Sequence, residues 1–267
     1  MNNSNEQIIR KVSLVGNGAH IFVPREWQGE EVILIRKPKK SLQERIIELV
    51  SPYLESIEGV FLFGSYARGE EREGSDIDLF VISNKKINIK APNIEAVCIE
   101  KEKFDKAIKV EPLIIHSMLK EAKPIINSAL LDELREKYKP KIRDFKEFFE
   151  SSKRMIQISK DAIDIDLDEG EVTFNSAVAY SLILRLRGVF ILKCLLSDKK
   201  YYSSEFKRWI IRNVDCIDFD KIYEVYLNVK AKKNSRISIY LSDLSKLSKF
   251  LKNEIYLIEH GKKKKEA

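Results

Sequence analysis

The sequence is short of the residues that build disulfide frameworks, metal fingers and histidine-based active sites. It holds three cysteines and three histidines among 267 residues. Cys98, Cys194 and Cys216 are far apart, lie in or beside apolar runs, and form no metal-ligand spacing. An odd, scattered count excludes a disulfide framework and suits a reducing compartment, so a cytoplasmic location is expected. His20 lies within a strand pattern and His116 at the edge of an apolar run, and both read as structural. The first six residues are polar and offer no signal-peptide apolar region. The one segment resembling a membrane span, Ala177–Leu196, contains Arg185, Arg187 and Lys193. A central arginine costs about 2.5–3.5 kcal/mol on insertion scales. The segment therefore reads as a buried helix, and no membrane partner is expected.

What is present describes a globular chain. Apolar residues make up 44% and charged residues 33%, with a formal net charge of +7 and a pI near 9.0. That balance favours anionic partners such as nucleotides or nucleic acid. The length allows about two domains and a substantial core.

The chain is organised around one stretch. The apolar run Val60–Phe63 leads into Gly64-Ser65, and Ser75-Asp76-Ile77-Asp78-Leu79-Phe80-Val81 follows. Strand side chains alternate, so Asp76 and Asp78 project from one face, while Ile77, Leu79 and Val81 share the other. Two carboxylates side by side repel, and a divalent cation is the usual compensation. Gly64 lets backbone approach a ligand, and Ser65 adds a hydroxyl to the exposed N–H groups. A helix starting at this turn would aim its first N–H groups at a phosphate. A phosphate cradle facing a two-carboxylate metal site points to phosphoryl or nucleotidyl transfer.

Gly-Ser, ten residues (66 to 75), then Asp-x-Asp, with Arg68-Gly69 between them, resembles the signature of the DNA polymerase β-like nucleotidyltransferase superfamily. The likeness is closest to its minimal and kanamycin-type members. The resemblance implies an α+β enzyme of the EC 2.7.7 type. Such an enzyme moves a nucleoside monophosphate from an NTP, here ATP, to a hydroxyl acceptor and releases pyrophosphate. It implies two Mg²⁺ ions on Asp76, Asp78 and a third carboxylate. It also implies nucleotide contacts from Gly64, Ser65, Arg68 and Ser75, to which the helical half is expected to add Arg187.

The third carboxylate is assigned to Glu95, which shares a strand face with Val97 and Ile99 on an expected central strand. Many relatives carry Asp there, and Glu is longer by one methylene. Glu111, in Val110-Glu111-Pro112, is the competing candidate. Without either, the domain would bind nucleotide and not transfer it.

Four parts are expected: a β module over 1–38, a nucleotidyltransferase domain with a mixed sheet and flanking helices over 41–140, a helical bundle over 141–260, and a basic tail over 261–267. In the first part, strands are read at Lys11–Val15, Ala19–Val23 and Glu31–Arg36, broken by Gly16-Asn17-Gly18, Pro24 and Gly29. This layout resembles the swapped-hairpin AbrB/MazE-like modules and implies a homodimer, with DNA or an antitoxin/toxin partner as possible ligands. Arg36–Lys40 reads as a linker, and Ser41-Leu42-Gln43-Glu44 as a capping box.

Helical periodicity marks about 142–164, 173–197, 203–214, 219–231 and 237–259, joined by short polar loops. In the apolar second helix, at least one of Arg185 and Arg187 needs an acidic or phosphate partner. It either reaches the triphosphate across the cleft or forms a buried ion pair. Asp164–Gly170 contains Asp-x-Asp without a preceding Gly-Ser and reads as an acidic interhelix loop. HEPN-type ribonucleases are marked by an arginine, four to six intervening residues and then a histidine, and no histidine here has an arginine at that distance. An alternative function is an antitoxin-like or DNA-binding regulator whose nucleotidyl domain serves a partner. The acceptor itself has no motif.

Overall fold

The computed structural model describes residues 8–35, 40–170, 172–174, 176–233 and 237–261, with Thr173 and Phe174 described by backbone alone. The linker at 36–39, Asn175 and the tail Lys262–Lys265 lie outside the described residues. The chain divides into two compact units, Met1–Leu42 and Gln43–Ala267.

In the first unit β1 (Ser13–Val15) pairs antiparallel with β2 (Gly18–His20), Leu14 opposite Ala19. Gly16 closes the turn at φ +52°, a left-handed conformation that glycine adopts without strain. A short 3₁₀ turn, Arg25–Trp27, follows Pro24. The third strand expected from Glu31 onward does not form: residues 31–35 join no ladder. A lone hairpin buries too little to recruit another strand. Ile33 and Ile35 are 90% and 84% exposed, so nothing apolar in the described chain holds them.

The second unit is α+β, with a four-stranded mixed sheet ordered β5-β4-β3-β6. β3 (Ile57–Phe63) runs antiparallel to β4 (Ile77–Ser83) and to β6 (Lys123–Ile126). β4 runs parallel to β5 (Ile94–Glu100). The sheet is covered on both faces, so β4 is apolar at almost every position and the period-two signal survives only at Asp76 and Asp78. Phe61, Phe80 and Ile82 share a core with α3 (Phe104–Val110), α4 (Pro112–Glu121) and α5 (Ser128–Lys137). Ile77, Leu79 and Val81, which alternate with these along β4, are buried as well, and so are Ile46 and Val50 of α1 (Leu42–Val50). β5 is an edge strand of this sheet, not the central strand expected from its composition. Val97 and Ile99 are apolar because they pack against the helices beneath.

The remaining helices form the bundle: α6 (Lys146–Asp168), α7 (Ser176–Leu196), α8 (Ser203–Asn213), α9 (Phe219–Lys230) and α10 (Leu241–His260). α7 is its axis. Ala179, Leu182, Ile183, Leu186, Val189 and Leu192 are fully buried, which accounts for its apolar composition. Among the described residues no helix is long and apolar enough to cross a membrane. Two expectations need correction. The acidic stretch from Asp164 is helical to Asp168, because its solvent-facing carboxylates cost a helix little. Thr173–Phe174 begins no helix but forms β7, paired antiparallel with β8 (Ile239–Tyr240).

α4 packs on α7 and joins the sheet to the bundle. At Gly188 of α7 an added Cβ would lie 2.8 Å from the Phe148 ring of α6. Only glycine lets that ring lie on the helix there.

Candidate active site

β3 ends at Phe63, and the chain turns at Gly64 with φ +69°. A Cβ at Gly64 would fall 1.8 Å from Asp78 Oδ2. The backbone of the turn therefore lies directly on the carboxylate, and the position requires glycine twice, by conformation and by space. Residues Gly64–Arg68 form a short helix, α2, which stops at Gly69 in the left-handed region. The chain returns through Ser75, whose Oγ accepts from the Arg72 N–H at 2.9 Å.

Asp76 immediately precedes β4 and is exposed, while Asp78 is half-buried on β4 opposite Phe63. In the parallel ladder Asp78 stands directly against Glu95 of β5. The three carboxylates thus arise from one strand start and one strand pairing. Burial pushes the Asp78 carboxyl up to about 6, the Glu95 charge adds to this, Lys230 and Arg68 pull the other way, and Asp76 adds a little more.

Among the described residues no three ligating side chains are drawn into one coordination cluster. The donor set nevertheless fits a hard cation. It is all oxygen, as Mg²⁺ demands, and such a cation would offset both the burial that chiefly lifts Asp78 and the Glu95 charge that adds to it.

These groups line a cleft of about 1270 Å³ between the sheet and the bundle. The cleft brings together every residue expected from the sequence: Gly64, Ser65, Arg68, Ser75, Asp76, Asp78, Glu95 and Arg187. Glu111 also lines it, at the junction of α3 and α4 and off the sheet.

Arg187 donates from Nε to the Tyr201 hydroxyl at 3.0 Å and from Nη1 to the Tyr226 hydroxyl at 3.3 Å. Burial works against its charge, but the two tyrosines outweigh it and raise the guanidinium above its ordinary value. Arg185 donates to Ser151 Oγ at 3.1 Å. Among the described residues neither arginine meets a carboxylate at ion-pair distance, so hydroxyls take the place of the expected acidic partner.

Arg68 is held differently. Nε lies 2.9 Å from Glu70 Oε2 and Nη1 2.5 Å from Glu121 Oε2. Glu70 in turn accepts from the Ser203 N–H at 2.9 Å and the Ser203 hydroxyl at 3.1 Å.

Sequence reasoning missed Glu70, Glu121, Lys207, Tyr226 and Lys230, all of which line the cleft. Glu121 left one trace, a carboxylate three residues after Met118 and beside Ala122, at the end of a helix rich in apolar residues. The bundle residues left none, because their meeting is tertiary.

Residues 44–131 match the model of the polymerase beta nucleotidyltransferase family. The match covers the domain that carries Gly64, Asp76, Asp78 and Glu95, and it makes residues 44–131 similar to the nucleotidyltransferase domains of that family. The match begins beyond residues 1–38. A putative protein adenylyltransferase of Methanocaldococcus jannaschii is 41% identical over 46 residues, which is 17% of this chain and 46% of that protein. The chain thus spans about half the length of this curated relative. Two solved structures are similar. A spectinomycin adenyltransferase from Enterococcus faecialis, with ATP and spectinomycin, has 14% identity over 79% of this chain and 97% of its own, with a TM-score of 0.40. A nucleotidyltransferase-like protein from Exiguobacterium sibiricum 255-15 has 11% identity over 82% and 77%, with a TM-score of 0.38.

Proposed function

We propose that the chain transfers a nucleoside monophosphate from ATP to a hydroxyl acceptor and releases pyrophosphate. One observation carries the reading: Asp78 and Glu95 are register partners beneath the Gly64 backbone, with Asp76 beside them. An adenylyl donor is supported by the name of the archaeal relative.

In this reading Asp76, Asp78 and Glu95 are the residues that would hold two Mg²⁺ ions, and the chemistry these would supply is neutralisation of phosphate charge and a lowered pKa for the acceptor hydroxyl. Gly64 and Ser65 cradle the β- and γ-phosphates. Arg187, Lys207 and Lys230 face the same cleft from three bundle helices and balance the polyphosphate charge. Glu95, the exposed carboxylate on the edge strand, receives the proton of the attacking hydroxyl. The acceptor oxygen bonds to the α-phosphorus as the bond to the bridging oxygen breaks, and pyrophosphate leaves with that electron pair. A volume above the usual range of roughly 300–1,000 Å³ for one small ligand leaves room for the acceptor beside the nucleotide.

The test is incubation of the full chain with α-labelled ATP, Mg²⁺ and host-cell extract. Label should appear on an acceptor and disappear with Asp76→Asn. Equal labelling by that variant would overturn the assignment.

A further inference from the structure

The Arg68 guanidinium lines the cleft, yet two of its nitrogens are spent on carboxylates from different parts of the fold. Glu121, on α4 and 5% exposed, takes Nη1 at 2.5 Å. Glu70 takes Nε at 2.9 Å. We propose that Glu121 and Glu70 are positioning residues: they make Arg68 a strut that fixes the Gly64–Ser65 turn over Asp78 and ties that turn to the start of α8. The proposal rests on the transfer reading above and goes beyond it, because it removes Arg68 from the phosphate ligands and couples nucleotide affinity to a residue that touches no nucleotide.

Three features argue for positioning over plain stabilisation. A buried ion pair adds little stability over an apolar replacement, because desolvation offsets the attraction. What two carboxylates at different nitrogens do provide is a fixed plane for a flat, five-donor group. The second feature is the left-handed turn at Gly69, φ +70°, which brings Glu70 back so that one carboxylate reaches both Arg68 and Ser203. Ser203 opens α8, and Tyr202 before it supplies no side-chain cap. The sheet domain thus provides the cap that this bundle helix lacks. The third is Tyr201, whose ring centroid lies 5.3 Å from the Arg68 guanidinium carbon and 5.2 Å from that of Arg187. The strut on the phosphate turn and the cation on the bundle wall share one aromatic ring.

The test uses the full chain with Glu121→Gln, which keeps size and an acceptor oxygen but removes the charge. Calorimetry would measure ATP affinity, and amide exchange would follow residues 64–70 and 201–206. ATP affinity should fall about ten-fold, within the ordinary range of coupling between sites. Exchange should quicken in both segments together, and the KM for ATP should rise with kcat changed less than KM. Ser203→Ala, which removes one hydroxyl bond, should move the same readouts by a smaller factor and serves if Glu121→Gln fails to fold. Unchanged ATP affinity, or faster exchange in one segment alone, would overturn the coupling. Failure of the wild type to transfer label while ATP affinity and exchange respond as expected would sink the transfer reading and leave the coupling standing.

Discussion

Asp78 and Glu95 face each other across the parallel pairing of β4 and β5, and neither has a cation as its direct partner among the described residues. Asp78 is the carboxylate whose properties register this most. Its carboxyl is pushed from 3.8 up to about 6, first by burial and then by Glu95. A raised carboxyl means that the folded chain binds the proton more tightly than the unfolded chain. Its contribution to stability is full below pH 3.8 and is lost as pH rises through about 6. Asp78→Asn should therefore abolish transfer and stabilise the fold at pH 7.5. The gain should be about 1 kcal/mol after allowance for solvent screening. Urea unfolding of both chains at pH 7.5 and pH 4 measures this, and the gain should shrink at the lower pH.

Activity should show the mirror image. Transfer needs the ionised carboxylate, so the acid limb of the rate profile should bend near pH 6 at low Mg²⁺. A cation competes with the proton for the same oxygens. Raising Mg²⁺ should move the limb to lower pH. A limb fixed at every Mg²⁺ concentration would argue that Asp78 is not a ligand.

The site was more legible in the sequence than the architecture around it. Gly64, Ser65, Asp76 and Asp78 follow from local rules, because a tight turn and a period-two strand each write their chemistry into adjacent residues. Glu95 was legible as a carboxylate on an apolar face, but its strand was misplaced. Composition reports burial and not rank within a sheet, and helices cover β5 although it lies at the edge. Residues 31–35 carry a strand's composition and form none, since a ladder needs a neighbour that the sequence cannot supply. Lys230 and Tyr226 were invisible for the opposite reason. They join the cleft only because α9 packs against α7.

Gly64→Ala offers a sharper test of the turn. The substitution meets an unfavourable positive φ and a carboxylate oxygen 1.8 Å from the new Cβ. Strain of this kind costs about 1–3 kcal/mol. Combining it with Asp78→Ala removes the carboxylate at 1.8 Å and leaves the backbone term and a 3.0 Å contact with the Cβ of residue 78. The double variant should thus be destabilised less than the sum of the two single changes, a coupling read from a double-mutant cycle. Additive losses would mean that the turn does not rest on Asp78. Transfer should be absent in all three variants.

Glu95 and Glu111 both line the cleft, and their roles separate by substitution. Glu95→Gln should lower kcat by about a hundred-fold or more, the usual scale for a lost general base. Glu111→Gln should change kcat by less than about three-fold, because its carboxylate sits at a helix junction away from the ladder. Glu95→Asp is informative as well. Partial activity would show that the shorter carboxylate still reaches the acceptor side.

The last prediction concerns the N-terminal unit. Leu14 is 89% exposed, Phe22 72% and Ile33 90%. A segment below about 40 residues rarely holds a fold without metals, disulfides or association. Its cysteine-free sequence leaves association. We therefore expect the full chain to be a dimer at about 10 µM by sedimentation, a concentration at which modest interfaces saturate. Leu14→Asp with Ile33→Lys should give monomers that keep the transfer rate per chain, because both residues lie in the other compact unit from the carboxylates. A wild type that stays monomeric at ten times that concentration would rule out self-association. The exposed apolar residues would then call for a partner of another kind, and salt-dependent binding to duplex DNA would be the next measurement.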